Sequence, residues 1–360
     1  MKIAIVDDYL KWGGAVQVVA ALHEVFPKAP IYTIFSEVDK ERLLKEKLKG
    51  AKIVESWFAS LPFCEKLISP LRFLTPLIWG SFDFSDYDLV ISSASWAVTK
   101  GFAHGKTKEI CYCHTPPRYL YGYETSRNWQ KHWCIRFYAV LVNHFMRIYD
   151  HKQAQKVTWF IANSKEVQKR IRKFYRRESL VIYPPVEIAS APKVPPANYF
   201  LTGGRLEMPK NFDLVIQAAS KLNLPLKVYG TGFQGEYLRS IAGPTVEFVG
   251  SVSEEEKFRL MAGCLAFVAA ATDEDFGMTP VEAMAAGRPV IAYRGGGYLE
   301  TVVEGKTGEF FDEPALKSLV KTLNNFKPKK YHSEDCRQQA RKFSKERFIK
   351  EMKEFIEKHA

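Results

Sequence analysis

No apolar run in this sequence reaches the roughly 18–20 residues that a membrane-spanning helix needs. The longest candidate, Met261 to Ala271, is too short and is expected to be a buried strand. There is no internal repeat and no low-complexity tract, which excludes solenoids and disordered tails. Cysteine is scarce, 6 in 360 residues, too few for a disulfide scaffold. The first apolar stretch meets Asp7 and Asp8 at once, so no export signal is expected. The thiols are expected to be reduced and the chain cytoplasmic. Acidic residues run short in one segment. Residues 101–190 hold 16 Lys and Arg against 6 Asp and Glu, whereas residues 191–360 hold 24 against 22. Most of the net charge of +12 is therefore local. A local basic surface favours phosphate groups, anionic lipid or nucleic acid; a solvated helix face is the plainer alternative. No helix-turn-helix, zinc finger or RNA-binding aromatic pattern is present, so nucleic acid is not an expected partner.

What is present is an alternation of short apolar runs with helical stretches. Lys2–Asp7 reads as a strand, followed by the turn at Gly13 and Gly14 and a helix over Ala15–Val25. Tyr87–Ser92, Glu109–Cys113 and Phe160–Asn163 read as further buried strands, and Lys165–Phe174 as a helix. Pro184, Pro185, Pro192, Pro195 and Pro196 then mark a domain boundary. Beyond it the alternation restarts. Strands are expected at Tyr199–Gly203, Leu226–Tyr229, Val246–Val249, Leu265–Ala270 and Val290–Tyr293. Helices are expected at Asn211–Leu222, Gln234–Ile241, Glu254–Ala262 and Pro280–Ala286, with a last one at Ser344–Lys358. This pattern predicts an α/β chain with doubly wound parallel sheets in two domains.

The richest segment runs from Asp273 to Glu282. Glu274 falls in the loop after a buried strand. Glu282, separated from it by seven residues, falls in the first turn of the next helix, with Thr279 expected as N-cap and Pro280 at the first helical position. Open α/β sheets bind ligands at such strand ends. The free N–H groups of Gly277 to Thr279 favour an anion such as a diphosphate, and two carboxylates there can accept from sugar hydroxyls. An acidic helix start with ordinary capping is the other reading.

Glu274 and Glu282, followed by Ala283-Met284-Ala285-Ala286-Gly287-Arg288-Pro289-Val290-Ile291, resemble the retaining glycosyltransferases of family 4. Gly295-Gly296-Gly297-Tyr298-Leu299-Glu300-Thr301-Val302 and Gly305-Lys306-Thr307-Gly308 resemble the same family's downstream pattern. Within it, His114-Thr115-Pro116-Pro117-Arg118-Tyr119 and Asp275 to Pro280 look most like bacterial polysaccharide and O-antigen mannosyltransferases. The resemblance implies the GT-B architecture of two facing Rossmann-like domains. Residues 1–190 with a returning helix at 341–360 would form the acceptor side, and residues 197–340 the nucleotide-sugar side. It implies that Arg205 and Lys210 stabilise the leaving diphosphate, that Glu274 and the backbone at Phe276, Gly277, Met278 and Thr279 hold the sugar, and that Glu282 meets the ribose. Val249 and Val252 would flank the base, Gly13 and Gly14 would approach the diphosphate, and His114 would lie near the donor sugar. The family's Glu after the glycine loop is missing, because Val16 and Gln17 stand there.

Three other patterns carry alternative readings. Asp273-Glu274-Asp275 matches a metal-binding Asp-x-Asp, yet no metal is expected in a GT-B enzyme. Gly230-Thr231-Gly232-Phe233-Gln234-Gly235, with Glu247 beyond it, fits a dinucleotide loop; an NAD-linked oxidoreductase or epimerase is therefore an alternative, as is a non-catalytic sugar-nucleotide binder. Cys111, Cys113 and His114 lack a second ligand pair for zinc and are expected to be core residues. The expected activity is retaining, metal-independent, cofactor-free transfer of a hexose, most simply mannose from GDP-mannose, to a glycan or polyprenyl-linked glycan in cell-surface polysaccharide synthesis. Aromatic residues interleave with cations in two segments, Trp57–Phe82 and Trp129–Tyr149, the latter with Lys131, Arg136 and Arg147. That combination suggests peripheral contact with an anionic membrane, at the inner face; core packing is the alternative for the aromatics.

Overall fold

The computed structural model describes residues 1–11, 13–36, 44–125, 133–188, 194–195 and 197–359. Trp129, Lys131, Pro192 and Pro196 lie outside the described residues. The chain divides into two units. The first comprises Met1–Tyr123, Trp129–Pro185 and Lys345–Ala360; the second comprises Glu124–Asn128 and Val186–Ser344. The main division falls between Pro185 and Val186, at the start of the proline-rich stretch.

The first unit holds strands β1 (Ile3–Asp7), β2 (Ile31–Thr33), β3 (Ile53–Glu55), β4 (Leu89–Ala94), β5 (Lys108–Cys113), β6 (Trp159–Ala162) and β7 (Ser179–Val181). Their order is β3-β2-β1-β4-β5-β6-β7, and every pairing is parallel. The order reverses between β1 and β4, which pair from Ile3 opposite Leu89 to Asp7 opposite Ser93. Helices α1 (Gly14–Val25), α2 (Trp133–Lys156) and α3 (Lys165–Tyr175) connect them. The sequence reading missed β2, β3 and β7, each three residues long.

The second unit holds β8 (Phe200–Gly203), β9 (Leu226–Tyr229), β10 (Val246–Gly250), β11 (Phe267–Ala269), β12 (Val290–Tyr293) and β13 (Gly308–Phe311). These form a six-stranded sheet in the order β10-β9-β8-β11-β12-β13, again wholly parallel. Its helices include α4 (Phe212–Lys221), α5 (Glu254–Gly263), α6 (Met278–Ala285), α7 (Leu316–Asn325) and α8 (Ser333–Arg341). The apolar stretch Met261–Ala271 is not one strand. Its start ends α5 and only Phe267–Ala269 joins the sheet, because Ser253 caps a helix that runs on through Met261.

The last helix, α9 (Lys345–His359), belongs to the first unit. Its four apolar residues spaced for one face, Phe348, Met352, Phe355 and Ile356, are buried in one cluster with Ile5, Val19, Leu22, Ile91 and Tyr112. The Phe348 ring meets Tyr112 edge-on at 5.7 Å. Lys345 pairs with Glu24 of α1 at 2.7 Å. Burial of this stripe, rather than helix propensity, fixes the segment in place. Phe348→Ala should therefore destabilise the first unit by about 3–5 kcal/mol, read as a lower denaturant midpoint in tryptophan fluorescence. An unchanged midpoint would mean that α9 contributes little to that core.

Candidate active site

The second sheet reverses order between β8 and β11, and the loops leaving these two strands form the site. Open α/β sheets take ligands at such a reversal. The loop after β8 carries Arg205 and Lys210. Asn211, in a left-handed conformation at φ 50°, donates through its side-chain amide to the Ala270 carbonyl at 3.0 Å. This bond ties the β8 loop to the end of β11. Lys210 is thereby brought to Glu274, Nζ to Oε2 2.6 Å. The Tyr298 hydroxyl donates to the same oxygen at 3.3 Å. Glu274, although in a loop, is not exposed: its side chain is 14% exposed and paired. Lys210 has three N–H bonds to give, and at 41% exposure it still faces solvent. Arg205 is more open and lies 3.7 Å from Glu207.

The glycines here serve close approach. A Cβ on Gly230, which sits at φ +103°, would land on the Gly204 carbonyl oxygen, and one on Gly232 would come within 2.5 Å of the Leu206 oxygen. Leu206 N–H donates to Thr231 and Gln234 N–H to Leu206, both at 3.0 Å. Gly230 and Gly232 thus let two loops of the same sheet meet backbone to backbone. That packing accounts for the glycines which the sequence also allowed as a dinucleotide loop. Across the site, Gly297 N–H donates to the Glu274 carbonyl at 2.9 Å. A Cβ on Gly297 would stand 2.6 Å from the Phe276 oxygen.

Helix α6 begins earlier than expected. Gly277, left-handed at φ 92°, is the N-cap and Met278 the first helical residue; Thr279 and Pro280 lie within the first turn. The reason is again contact: a Cβ on Gly277 would press on the Tyr298 ring at 2.9 Å, so only glycine turns here. Met278 and Thr279 N–H then have no partner within the helix, and Pro280 has no N–H to satisfy. Phe276 is buried, edge-on to Phe343 at 5.3 Å. Glu282 consequently sits in the second turn, not the first, and it keeps different company from Glu274. Lys257 of α5 donates to it at 3.0 Å and also pairs with Glu254 at 2.9 Å. Burial pushes the Glu282 carboxyl up although Lys257 pulls it down. Burial alone would lower the Lys257 ammonium, but Glu282 and Glu254 raise it. Val249 and Val252 are half-buried at the edge strand, Val249 in a bulge between Phe248 and Gly250.

The remaining candidates lie in the first unit. Gly13 is the N-cap of α1 and Gly14 its first residue. His114 follows β5, its Nε2 2.9 Å from Ser93 Oγ and its ring edge-on to Tyr112 at 5.2 Å. Two aspartates end β1. Asp8 accepts from Ser95 Oγ at 2.6 Å, from Ala97 N–H at 3.2 Å, and from Trp96 N–H and the Thr99 hydroxyl. Asp7 is held well above the usual carboxylate range, first by burial and then by the Asp8 charge. Cys111 and Cys113 are buried core residues. Among the described residues no three His, Cys, Asp or Glu gather as a metal site would require, and no helix is long and apolar enough to cross a membrane. Sequence reasoning missed Asn211, Lys257, Tyr298, Ser93 and Asp7. Tyr298 stood inside a quoted motif, and Asn211 directly after Lys210; the other three carry no local signal.

Residues 185–343 match the model of glycosyl transferases group 1. That segment is similar to the group 1 glycosyltransferases. It is similar to the alpha-1,3/1,6-mannosyltransferase ALG2 of Dictyostelium discoideum, at 26% identity over 68% of this chain and 67% of that one. The ALG2 of Candida glabrata is 25% identical over 84% of this chain and 78% of its own. Among solved structures, Anabaena HepE in complex with UDP and glucose superposes with a TM-score of 0.72 at 19% identity, over 99% of each chain. That likeness shows the fold, the two-sheet GT-B class. The backbone contact at Gly297 should be indispensable to this site. Gly297→Ala should displace Phe276 and weaken nucleoside diphosphate binding at least tenfold by calorimetry. Gly80→Ala, at a position with no atom within 4 Å, should leave binding unchanged and serves as control. Equal binding by both variants would show that the loop contact does not shape the site.

Proposed function

We propose that this glycosyltransferase moves a hexose with retention, and without a metal, from a nucleotide-diphosphate sugar to a glycan acceptor carried on a polyprenyl lipid, in the synthesis of a cell-surface polysaccharide. The donor proposed is GDP-mannose. The observation that carries the reading is the Lys210–Glu274 pair at the sheet reversal, with Arg205 in the same loop and the start of α6 beside it. A departing diphosphate needs its growing charge neutralised, and fixed cations with oriented N–H groups supply that. Glu274 offers a carboxylate to sugar hydroxyls. Attack and departure on the same face fit this arrangement. Glu282, beside Lys257, is proposed for the ribose, with Val249 and Val252 near the base. Gly13 and Gly14 are proposed to approach the diphosphate, and His114 the donor sugar. The mannosyl assignment is supported by the ALG2 relatives, which are mannosyltransferases by name.

Calorimetry against GDP- and UDP-sugars, followed by turnover, tests the donor. GDP-mannose should bind and turn over, and Arg205→Ala and Lys210→Ala should each lower turnover by roughly two orders of magnitude. EDTA should change little. Strict dependence on a divalent ion would return Asp273 and Asp275 to consideration as ligands, and a preference for UDP-sugars would overturn the donor.

The acceptor class rests on helix α2, which is inside out along much of its length. Asn143 and Asp150 face inward with Ala139, Met146 and Ala154. Trp133 is 80% and Phe137 72% exposed, and Val140, Leu141, Phe145 and Ile148 are exposed as well. Phe63, Phe73 and Leu77 add to the exposed apolar surface of the same unit. Other aromatics of the first segment are core: Phe58 and Trp79 are buried, and so is Arg72, which donates to Asn143 at 3.0 Å. Arg147 donates to the Leu120 carbonyl and is structural. An apolar strip flanked by local positive charge fits an anionic bilayer surface. The protein should sediment with anionic vesicles at low salt and less at high salt, as screening shortens the Debye length. Trp133→Ser with Phe137→Ser should release it, while GDP-mannose binding is unchanged. No binding to anionic vesicles at low salt would point to a soluble acceptor.

A further inference from the structure

Helices α5 and α6 both begin at the carboxyl end of the second sheet, after β10 and β11, where such sheets take ligands. Between them one ammonium is shared by two carboxylates. Lys257 Nζ lies 3.0 Å from Glu282 Oε1 and 2.9 Å from Glu254 Oε2. The Lys257 and Glu282 side chains are 12% and 16% exposed, whereas Glu254 is open. Among the described residues nothing bonds to Glu282 Oε2. We propose that Lys257 is a positioning residue for the nucleotide ribose: it occupies Oε1 of Glu282 and keeps that carboxylate ionised, so that Oε2 is left to accept from the ribose hydroxyls. This deepens the reading of Glu282 as the ribose group and rests on it.

Place is the first support. Helix α5 follows Val249 and Val252, proposed for the base, and α6 follows Gly277, whose helix start is proposed for the diphosphate. A ribose joins those two parts of a nucleotide, and the Lys257–Glu282 contact joins the two helices. Energy is the second. Desolvating two charged groups costs about as much as their attraction returns, so fastening α5 to α6 is a weak reason for a buried pair. Charge balance is the third. Burial pushes the Glu282 carboxyl up, Glu254 and Glu187 add to that, and Lys257 opposes them. Tyr229, at the end of β9, feels the charges of Glu282 and Glu254; burial first of all holds its hydroxyl well above the usual range, so it stays neutral. Without Lys257 the neutral acid of Glu282 would persist to higher pH. A neutral carboxyl lacks the charge that makes a hydrogen bond from a hydroxyl strong. Glu254 draws on the same ammonium, so removing its charge would give Lys257 wholly to Glu282.

Calorimetry of the full chain with GDP and with dideoxy-GDP, which lacks both ribose hydroxyls, tests this across a range of pH. The wild type should bind GDP about tenfold tighter or more, the scale of hydrogen bonds to a charged group. That preference should fade as pH falls and Glu282 takes up a proton. In Lys257→Met it should fade at a higher pH, and the transfer defect should fall on the donor KM more than on kcat, because the ribose is held alike before and during transfer. Glu254→Gln, at an open surface position that folding tolerates, should move the loss to a lower pH, and it decides the matter even if Lys257→Met fails to fold. A ribose preference with the same pH dependence in variant and wild type would overturn the proposal. A wild type indifferent to the ribose hydroxyls would take Glu282 away from the ribose and overturn the proposal with it. GDP and UDP share the ribose, so a preference for UDP would overturn the donor alone, and the same comparison with UDP and dideoxy-UDP would then decide this inference.

Discussion

At the carboxyl end of the second sheet, backbone meets backbone in two places where a hydrogen is the largest substituent the Cα will take. Gly230 and Gly232 meet the β8 loop, and Gly296 and Gly297 meet Glu274 to Phe276. Everything chemical in that unit depends on these approaches. They fix the backbone of Glu274, which Lys210 meets across 64 residues of sequence, and lie beside the Gly277 turn that starts α6 against Tyr298. A methyl group at any of these glycines would force a backbone to move, not merely a side chain to turn. Placement by main-chain contact suits a site that must hold charges at fixed positions, since rigid elements lose less geometry than flexible side chains do.

The two units share the order of a doubly wound sheet and use its reversal point differently. In the first, Asp8 fills the crevice and satisfies the loop after β4 with its own oxygens. Those N–H groups are then spent on an internal carboxyl group and do not receive a phosphate. In the second, the corresponding loops carry cations and a helix start. One topology thus yields one crevice lined by cations and one closed by a carboxylate. This division follows from a single side chain, not from a difference in fold.

Some of this was legible in the sequence. Continuous apolar runs such as Ile3–Val6 and Val290–Ala292 announce buried parallel strands, and the spacing of Phe348, Met352, Phe355 and Ile356 announces a helix with one buried face. Three-residue strands such as β2 and β7 are shorter than any period that could reveal them. The start of α6 was misplaced because Thr279 is a good cap by composition, while the contact that selects Gly277 involves Tyr298, 21 residues away. Helix α2 was hidden for another reason. Its outward face is apolar and its inward face carries Asn143 and Asp150, so the usual pattern of a surface helix is reversed. Arg72, a cation within the aromatic segment Trp57–Phe82, is drawn inward by Asn143. The pairing of Lys210 with Glu274 and the contact of Ser93 with His114 are tertiary facts with no local trace.

The placement of α9 bears on synthesis. Residues 345–359 supply Phe348 and Met352 to the first unit's core, yet they emerge from the ribosome after the whole of the second unit. Until then the apolar side of α1 lacks its cover. Domains generally fold in the order in which they are made; here the earlier-made unit is completed last. The nascent chain therefore carries an exposed apolar face for as long as residues 186–344 take to be translated. That interval is when a chaperone would be needed most, and a message broken before codon 345 would leave the gap permanent and mark the product for degradation.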